Sequence, residues 1–335
     1  MLRLLFLLLI FSCISPENNT KTDYELLCSK IEKEPTNTAF LFERAQYNIN
    51  ENNLESAVID LKQCVQLDSV NPLFLYSIGE IYFLLSKDQS TNPKFPHFAR
   101  DYIKRSLEIN PNNYKANASM GELLLAFHEF NNAIVYLNNS LLIEYNQSRT
   151  HMLLGYAYNQ LDNKDNALNS FYNAISVDPE YKEAYVQLGQ LMHKKKDTMA
   201  IEYYNNALKI DSLDEIVLYN KAVFYQDLLD WNRALESYAQ LHSVNPFHSN
   251  GHYNLGFIHM ELGLYDIAVN NFSDAIYSNS NFFEAYYSRG ICFETLGNIM
   301  QAESDYKRAI EINSDYTFAI DALKQININN NIYKK

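Results

Sequence analysis

Four histidines, His242, His248, His252 and His259, cluster in one stretch of this chain, and histidine can ligate a metal or pass a proton. A closed zinc site needs about four ligands converging on one point. Seven residues separate His252 from His259, which puts them about two turns apart on one side of a helix. The four cysteines are Cys13, Cys28, Cys64 and Cys292. None belongs to a C-x-x-C pair, so their spacing offers neither a zinc site nor a redox motif, and no disulfide framework follows. The sequence holds no G-x-S-x-G, G-x-x-x-x-G-K or H-E-x-x-H, and no G-x-G-x-x-G after a strand. Carboxylates number 40 but are scattered, and no two stand out as a general acid/base couple. No catalytic residue, metal or cofactor is expected.

What positions these residues is a hairpin that the chain copies. Residues 148–181 place Gly155, Tyr158, Ala167, Phe171, Ala174 and Pro179 at fixed offsets around a turn at 161–164. Gly155 on the first helix and Ala167 on the second remove side chains that would hold the axes apart, allowing a separation of about 8–10 Å. Ala167, Phe171 and Ala174 share one face of the second helix. Pro179 ends that helix, since it lacks an N–H and clashes with the preceding turn.

The glycine column recurs as Ala45, Gly79, Gly121, Gly155, Gly189, Ala222, Gly256 and Gly290, in steps of 34, 42, 34, 34, 33, 34 and 34 residues. The first alanine column reads Ala57, Ala99, Ala133, Ala167, Ala200, Ala234, Ala268 and Ala302, and the stop column holds Pro111, Pro179 and Pro246. This period and order resemble the tetratricopeptide repeat family over residues 38–316, in eight copies. The resemblance implies an all-α, TPR-type α-solenoid, a right-handed superhelix of antiparallel helix pairs. A solenoid grows by stacking neighbours, so one body is expected despite a length of 335 residues. In this register other copies put Tyr185 and Tyr286 in the slot of His252, and Tyr158 and Phe293 in that of His259. Both histidines should therefore face the core. Cys64 and Cys292 also fall in slots suited to small buried residues.

Residues 1–12 carry one Arg and then the apolar run 4–11, too short to span a bilayer, which takes about 20 residues. A charged start and an apolar middle are the pattern of a secretory signal. Ile10, Phe11, Ser12 and Cys13 resemble a bacterial lipobox, which implies cleavage before Cys13 and lipidation of that residue. No aspartate follows Cys13, so the resemblance also implies an outer-membrane lipoprotein, facing the periplasm or the surface. Residues 13–21 then form a lipid-anchored tether and 22–37 an N-terminal capping helix or half repeat. Residues 317–327 form a C-terminal capping helix with a polar outer face, and 328–335 a disordered tail.

The second copy carries eight extra residues within 86–98, where Pro93 and Pro96 prevent a continuous helix. Phe95 and Phe98 there either anchor a contact or tuck against the second helix. Trp231, the only tryptophan, falls in a core slot. The formal charge of −13 argues against a nucleic acid, whose phosphates call for clustered Lys and Arg.

A second stripe runs along the first helices, more than about 100° from the core stripe, where polar side chains are the norm. Three residues before the glycine column stand Tyr76, Met152, Tyr219, Tyr253 and Tyr287, among others. One residue after it stand Glu80, Tyr156, Gln190 and Phe257. In the resembled family this face lines a concave groove that receives peptides or helices. Aromatic side chains give contact area at low entropy cost. The Lys and Asn pattern with which part of that family clamps a terminal carboxylate is absent. A glutamate rim of Glu80, Glu122, Glu261 and Glu294 suits a partner with some positive charge. The function expected is a non-enzymatic, lipid-anchored scaffold that binds a protein or peptide partner, with no small-molecule substrate. The alternative is a chaperone-like cofactor of envelope assembly or secretion with transient clients.

Overall fold

The structure, a computed structural model, describes residues 23–88 and 92–332. The apolar run, the signal segment and Cys13 lie outside the described residues. Among those described, the chain forms eighteen α-helices and no strand. The described residues separate by Cα packing into two units, which divide between Tyr145 and Asn146.

In the first unit α1 (Asp23–Lys33) precedes three hairpins. These are α2 (Thr38–Asn50) with α3 (Leu54–Leu67), α4 (Pro72–Leu85) with α5 (Phe95–Ile109), and α6 (Tyr114–Ala126) with α7 (Phe130–Ile143). The second unit begins with α8 (Ser148–Gln160) and α9 (Lys164–Val177), then α10 (Lys182–Lys194) and α11 (Met199–Ile210). It continues with α12 (Glu215–Asp227) and α13 (Trp231–Val244), α14 (Ser249–Glu261) and α15 (Tyr265–Ser278), and α16 (Phe283–Thr295) and α17 (Ile299–Ile312). It ends with α18 (Thr317–Ile332). Within each unit every helix packs on its neighbours in sequence, the arrangement of an all-α solenoid.

The glycine column admits one large side chain per hairpin. A Cβ at Gly155 would lie 2.5 Å from the Phe171 ring, and one at Gly290 would lie 2.5 Å from Tyr306. Gly189 and Gly256 stand the same way to Tyr204 and Phe272. These rings follow the alanine column by four residues and are almost fully buried. Filling that space would force the ring off its rotamer or the helices apart.

Helix ends follow from local chemistry. The side chains of Asn37, Asn71, Asn113 and Asp214 accept backbone N–H bonds at the starts of α2, α4, α6 and α12. Such caps contribute about 1 kcal/mol each. Hairpin turns close through one residue in the left-handed region, Gly263 and Gly297 in two copies. Asn52, His128, Asp162, Lys196 and Leu229 take that position elsewhere. The following N–H reaches back to the carbonyl five residues earlier, as Asn163 does to Tyr158 at 2.9 Å, which closes the helix.

The second copy departs from the sequence reading. Helix α5 starts at Phe95, inside the stretch expected to be irregular, with Pro96 in its first turn. A proline is tolerated there because that N–H has no helical partner anyway. Phe95 and Phe98 both pack on Tyr82 of the first helix α4, each at 5.3 Å, and Phe98 stays 38% exposed. At the other end α18 runs on through residues 328–332, expected to be a disordered tail. No glycine or proline interrupts the helix there, and Ile326 anchors it against Tyr306. Trp231 is half-buried and packs against the core cluster that holds Ala234 and Tyr238.

Candidate partner-binding face

Helix geometry fixes which side of each first helix remains after the hairpin core is made. Positions three before and one after the glycine column lie about 40° apart, centred about 80° round the helix from Gly155 and its equivalents. In the first unit these positions line a cleft of about 630 Å³ among α2, α4 and α6, with Phe42, Gln46, Tyr76, Glu80 and Lys115 in its wall. Tyr76 is only 7% exposed, and its hydroxyl donates to Glu80 Oε1 at 2.8 Å. Burial, then the neighbouring Glu80 charge, pushes its phenol well above the ordinary range, so it stays a neutral donor.

In the second unit Met152 and Tyr156 lie on α8, Gln190 on α10, Tyr219 on α12, Tyr253 and Phe257 on α14, and Tyr287 on α16. Tyr156 is exposed and the other six are half-buried. Three of the tyrosines are braced by an aromatic side chain at the start of the next hairpin or of the final helix. Tyr219 packs on the His248 ring at 5.1 Å, Tyr253 on Phe282 at 5.0 Å, and Tyr287 on Tyr316 at 5.3 Å. Phe318, 64% exposed, extends the last cluster at 6.1 Å from Tyr287. Burial pushes Tyr287 upward and Tyr316 up to about 12, so both remain neutral hydroxyls.

A buried network sets the tilt of Tyr219. The Asn254 amide donates to Tyr238 Oη at 2.8 Å and to Tyr219 Oη at 3.3 Å, and Tyr238 donates to Gln226 at 2.8 Å. The bracing role of His248 and Phe282 was absent from the sequence reading, although a signal exists: both precede the glycine column by eight.

The glutamate rim is partly committed within the fold. Glu80 accepts from Tyr76, Glu122 pairs with Lys87 at 3.2 Å, and Glu294 accepts from Tyr306 at 2.8 Å. Glu261 is exposed and takes part in no hydrogen bond or ion pair among the described residues.

Of the four histidines, three converge. The His242 and His252 rings stack at 3.8 Å, and His248 caps α14 by accepting from Gly251 N at 3.0 Å. His259 stands apart, its Nδ1 at 2.9 Å from Leu255 O. His252 and His259 are half-buried rather than enclosed in the core, because the slots they share with tyrosines lie at its edge. No group of three His, Cys, Asp or Glu able to hold a metal occurs among the described residues.

The tetratricopeptide repeat pattern matches residues 148–181, 249–282 and 283–316. Anaphase-promoting complex subunit 3 of Schizosaccharomyces pombe is 23% identical over 174 residues, covering 52% of this chain and 26% of that protein. The chain spans less than a third of the length of that protein and of the human relatives TMTC3 and tetratricopeptide repeat protein 6. PilF of Pseudomonas aeruginosa superposes with a TM-score of 0.53 at 15% identity, over 62% of this chain and 92% of that one. A tetratricopeptide repeat protein of Parabacteroides merdae superposes with a TM-score of 0.52 at 16% identity, over 75% and 98%. Residues 148–181, 249–282 and 283–316 are tetratricopeptide repeats, and the chain has the all-α solenoid fold that such repeats build.

Proposed function

We propose that this protein is a non-enzymatic interaction scaffold, held by lipid at Cys13 in a bacterial outer membrane, that grips a partner peptide or helix on the concave face of its first helices. The observation that carries this reading is the aromatic stripe. Tyr219, Tyr253 and Tyr287 keep exposed area on the side of α12, α14 and α16 that hairpin packing leaves over. A solvated helix face would be polar there. Rings held by neighbours lose little freedom on binding, which favours them as anchors. Tetratricopeptide repeats, as protein-interaction modules, support the same reading. Membrane attachment rests on the apolar run before Cys13.

A photo-crosslinking residue placed at Tyr253 in cells tests it. Capture of one partner chain is expected, with far less from the same probe at Tyr277, a residue 81% exposed on the second helix α15. Equal capture from both positions, or none from Tyr253, would remove the basis for the proposal. A broad set of captured chains would point to the chaperone-like role.

A further inference from the structure

We infer that the face built by α12, α14 and α16 selects a cationic segment, a stretch of partner protein that presents arginine or lysine beside apolar side chains. This inference rests on the reading of that face as the partner-binding one. Tyr219, Tyr253 and Tyr287 supply three half-buried rings in consecutive hairpins, each packed between its own hairpin's core ring and the next aromatic. Ring faces attract a guanidinium or ammonium through their quadrupole, as well as aliphatic chain.

Charge decides between a cationic and a neutral occupant. The only basic Lys or Arg residues on α12, α14 and α16 are Lys221 and Arg289. Both precede the small-residue column by one, which turns them to the opposite side of their helices. Arg289 is moreover bound to Asp305 by two hydrogen bonds, at 2.8 and 2.7 Å. The aromatic side carries Glu261 and Glu284 instead, and neither makes a hydrogen bond or ion pair among the described residues. An incoming Arg or Lys meets carboxylates with no competing cation to displace. An incoming carboxylate meets like charge with nothing to offset it, and such mismatch discriminates strongly between partners.

The test uses the full-length protein and two fluorescein-labelled peptides of equal length and apolar content, one with arginines where the other has glutamates. Fluorescence anisotropy should give the arginine peptide an affinity at least about tenfold higher, with the gap closing as salt is raised. The double variant Glu261→Lys with Glu284→Gln should erase or invert that gap with its circular dichroism spectrum unchanged, since neither side chain makes a hydrogen bond or ion pair among the described residues. Tyr253→Ala with Tyr287→Ala should weaken the arginine peptide at least about tenfold. Equal binding of the two peptides, or no binding of either, overturns the inference. Equal binding that is still lost in the tyrosine variant leaves the scaffold reading standing, and the crosslinking experiment at Tyr253 decides that reading separately.

Discussion

Leu229 holds a backbone conformation that its side chain opposes. Its φ is 57°, in the left-handed region, and it occupies the hairpin-turn position that Gly263 and Gly297 fill in later copies. A side chain there crowds the neighbouring carbonyl at a cost of about 1–2 kcal/mol, while glycine brings back some backbone entropy in the unfolded chain. Leu229 is 67% exposed, so little packing is lost on its removal. Leu229→Gly should therefore stabilise the protein by about 0.5–1 kcal/mol, read as a higher denaturation midpoint with an unchanged slope. The requirement was legible in the sequence only where glycine marks it. At Leu229 nothing in the residue type announces a positive φ. Tyr76 shows the same limit. Its offset placed it on the leftover side of α4, yet its hydroxyl turns to Glu80 and only 7% of the residue stays exposed.

Elements meet most distinctively where α13 gives way to α14. The stacked His242 and His252 rings leave His242 Nε2 and His252 Nδ1 buried without hydrogen-bond partners. Burial pushes His242 down to about 4, with the charges that His252 and His248 would carry adding to the effect. His248 is also lowered by burial, against the pull of Glu215. A depressed folded pKa means that the native state favours neutral imidazole. The stability this provides is complete above the ordinary pKa of 6.5 and is lost as pH falls towards about 4. Allowing for solvent screening of a half-exposed ring, about 1–2 kcal/mol is at stake. Hydrogen exchange in α13 and α14 should accelerate selectively between pH 6.5 and 4, and His242→Phe, which keeps the stack, should flatten that dependence. A pH-independent junction would show that the rings escape the strain by moving apart. Elsewhere, elements are tied by a device repeated in the first and last hairpins. Arg44 pairs with Asp60 and Arg289 with Asp305, each at 2.7 Å, with the carboxylates almost buried. Both arginines precede the small-residue column by one, and both aspartates follow the alanine column by three. Removing one partner from such a pair typically costs about 3–5 kcal/mol, because the other charge stays buried.

At the scale of the whole molecule, the acidic balance of −13 and the N-terminal apolar run set the expectations for where the protein works. Mass spectrometry of the mature N-terminus should find an acylated Cys13; an unmodified Cys13 would refute the lipid anchor while leaving the repeat array untouched. The sequence by itself determined the all-helical solenoid and the close hairpin contact at its column glycines. These follow from helical periodicity and from side-chain size at fixed offsets, properties that act within one hairpin. Only the tertiary structure decided that Phe95 and Phe98 pack on Tyr82, that Glu80 and Glu294 are spent on tyrosine hydroxyls, and that His248, Phe282 and Tyr316 brace the stripe. Each of those outcomes depends on where a separate helix comes to rest. A side chain's direction is set by its own helix, but what it touches is set by the neighbour that packs against it.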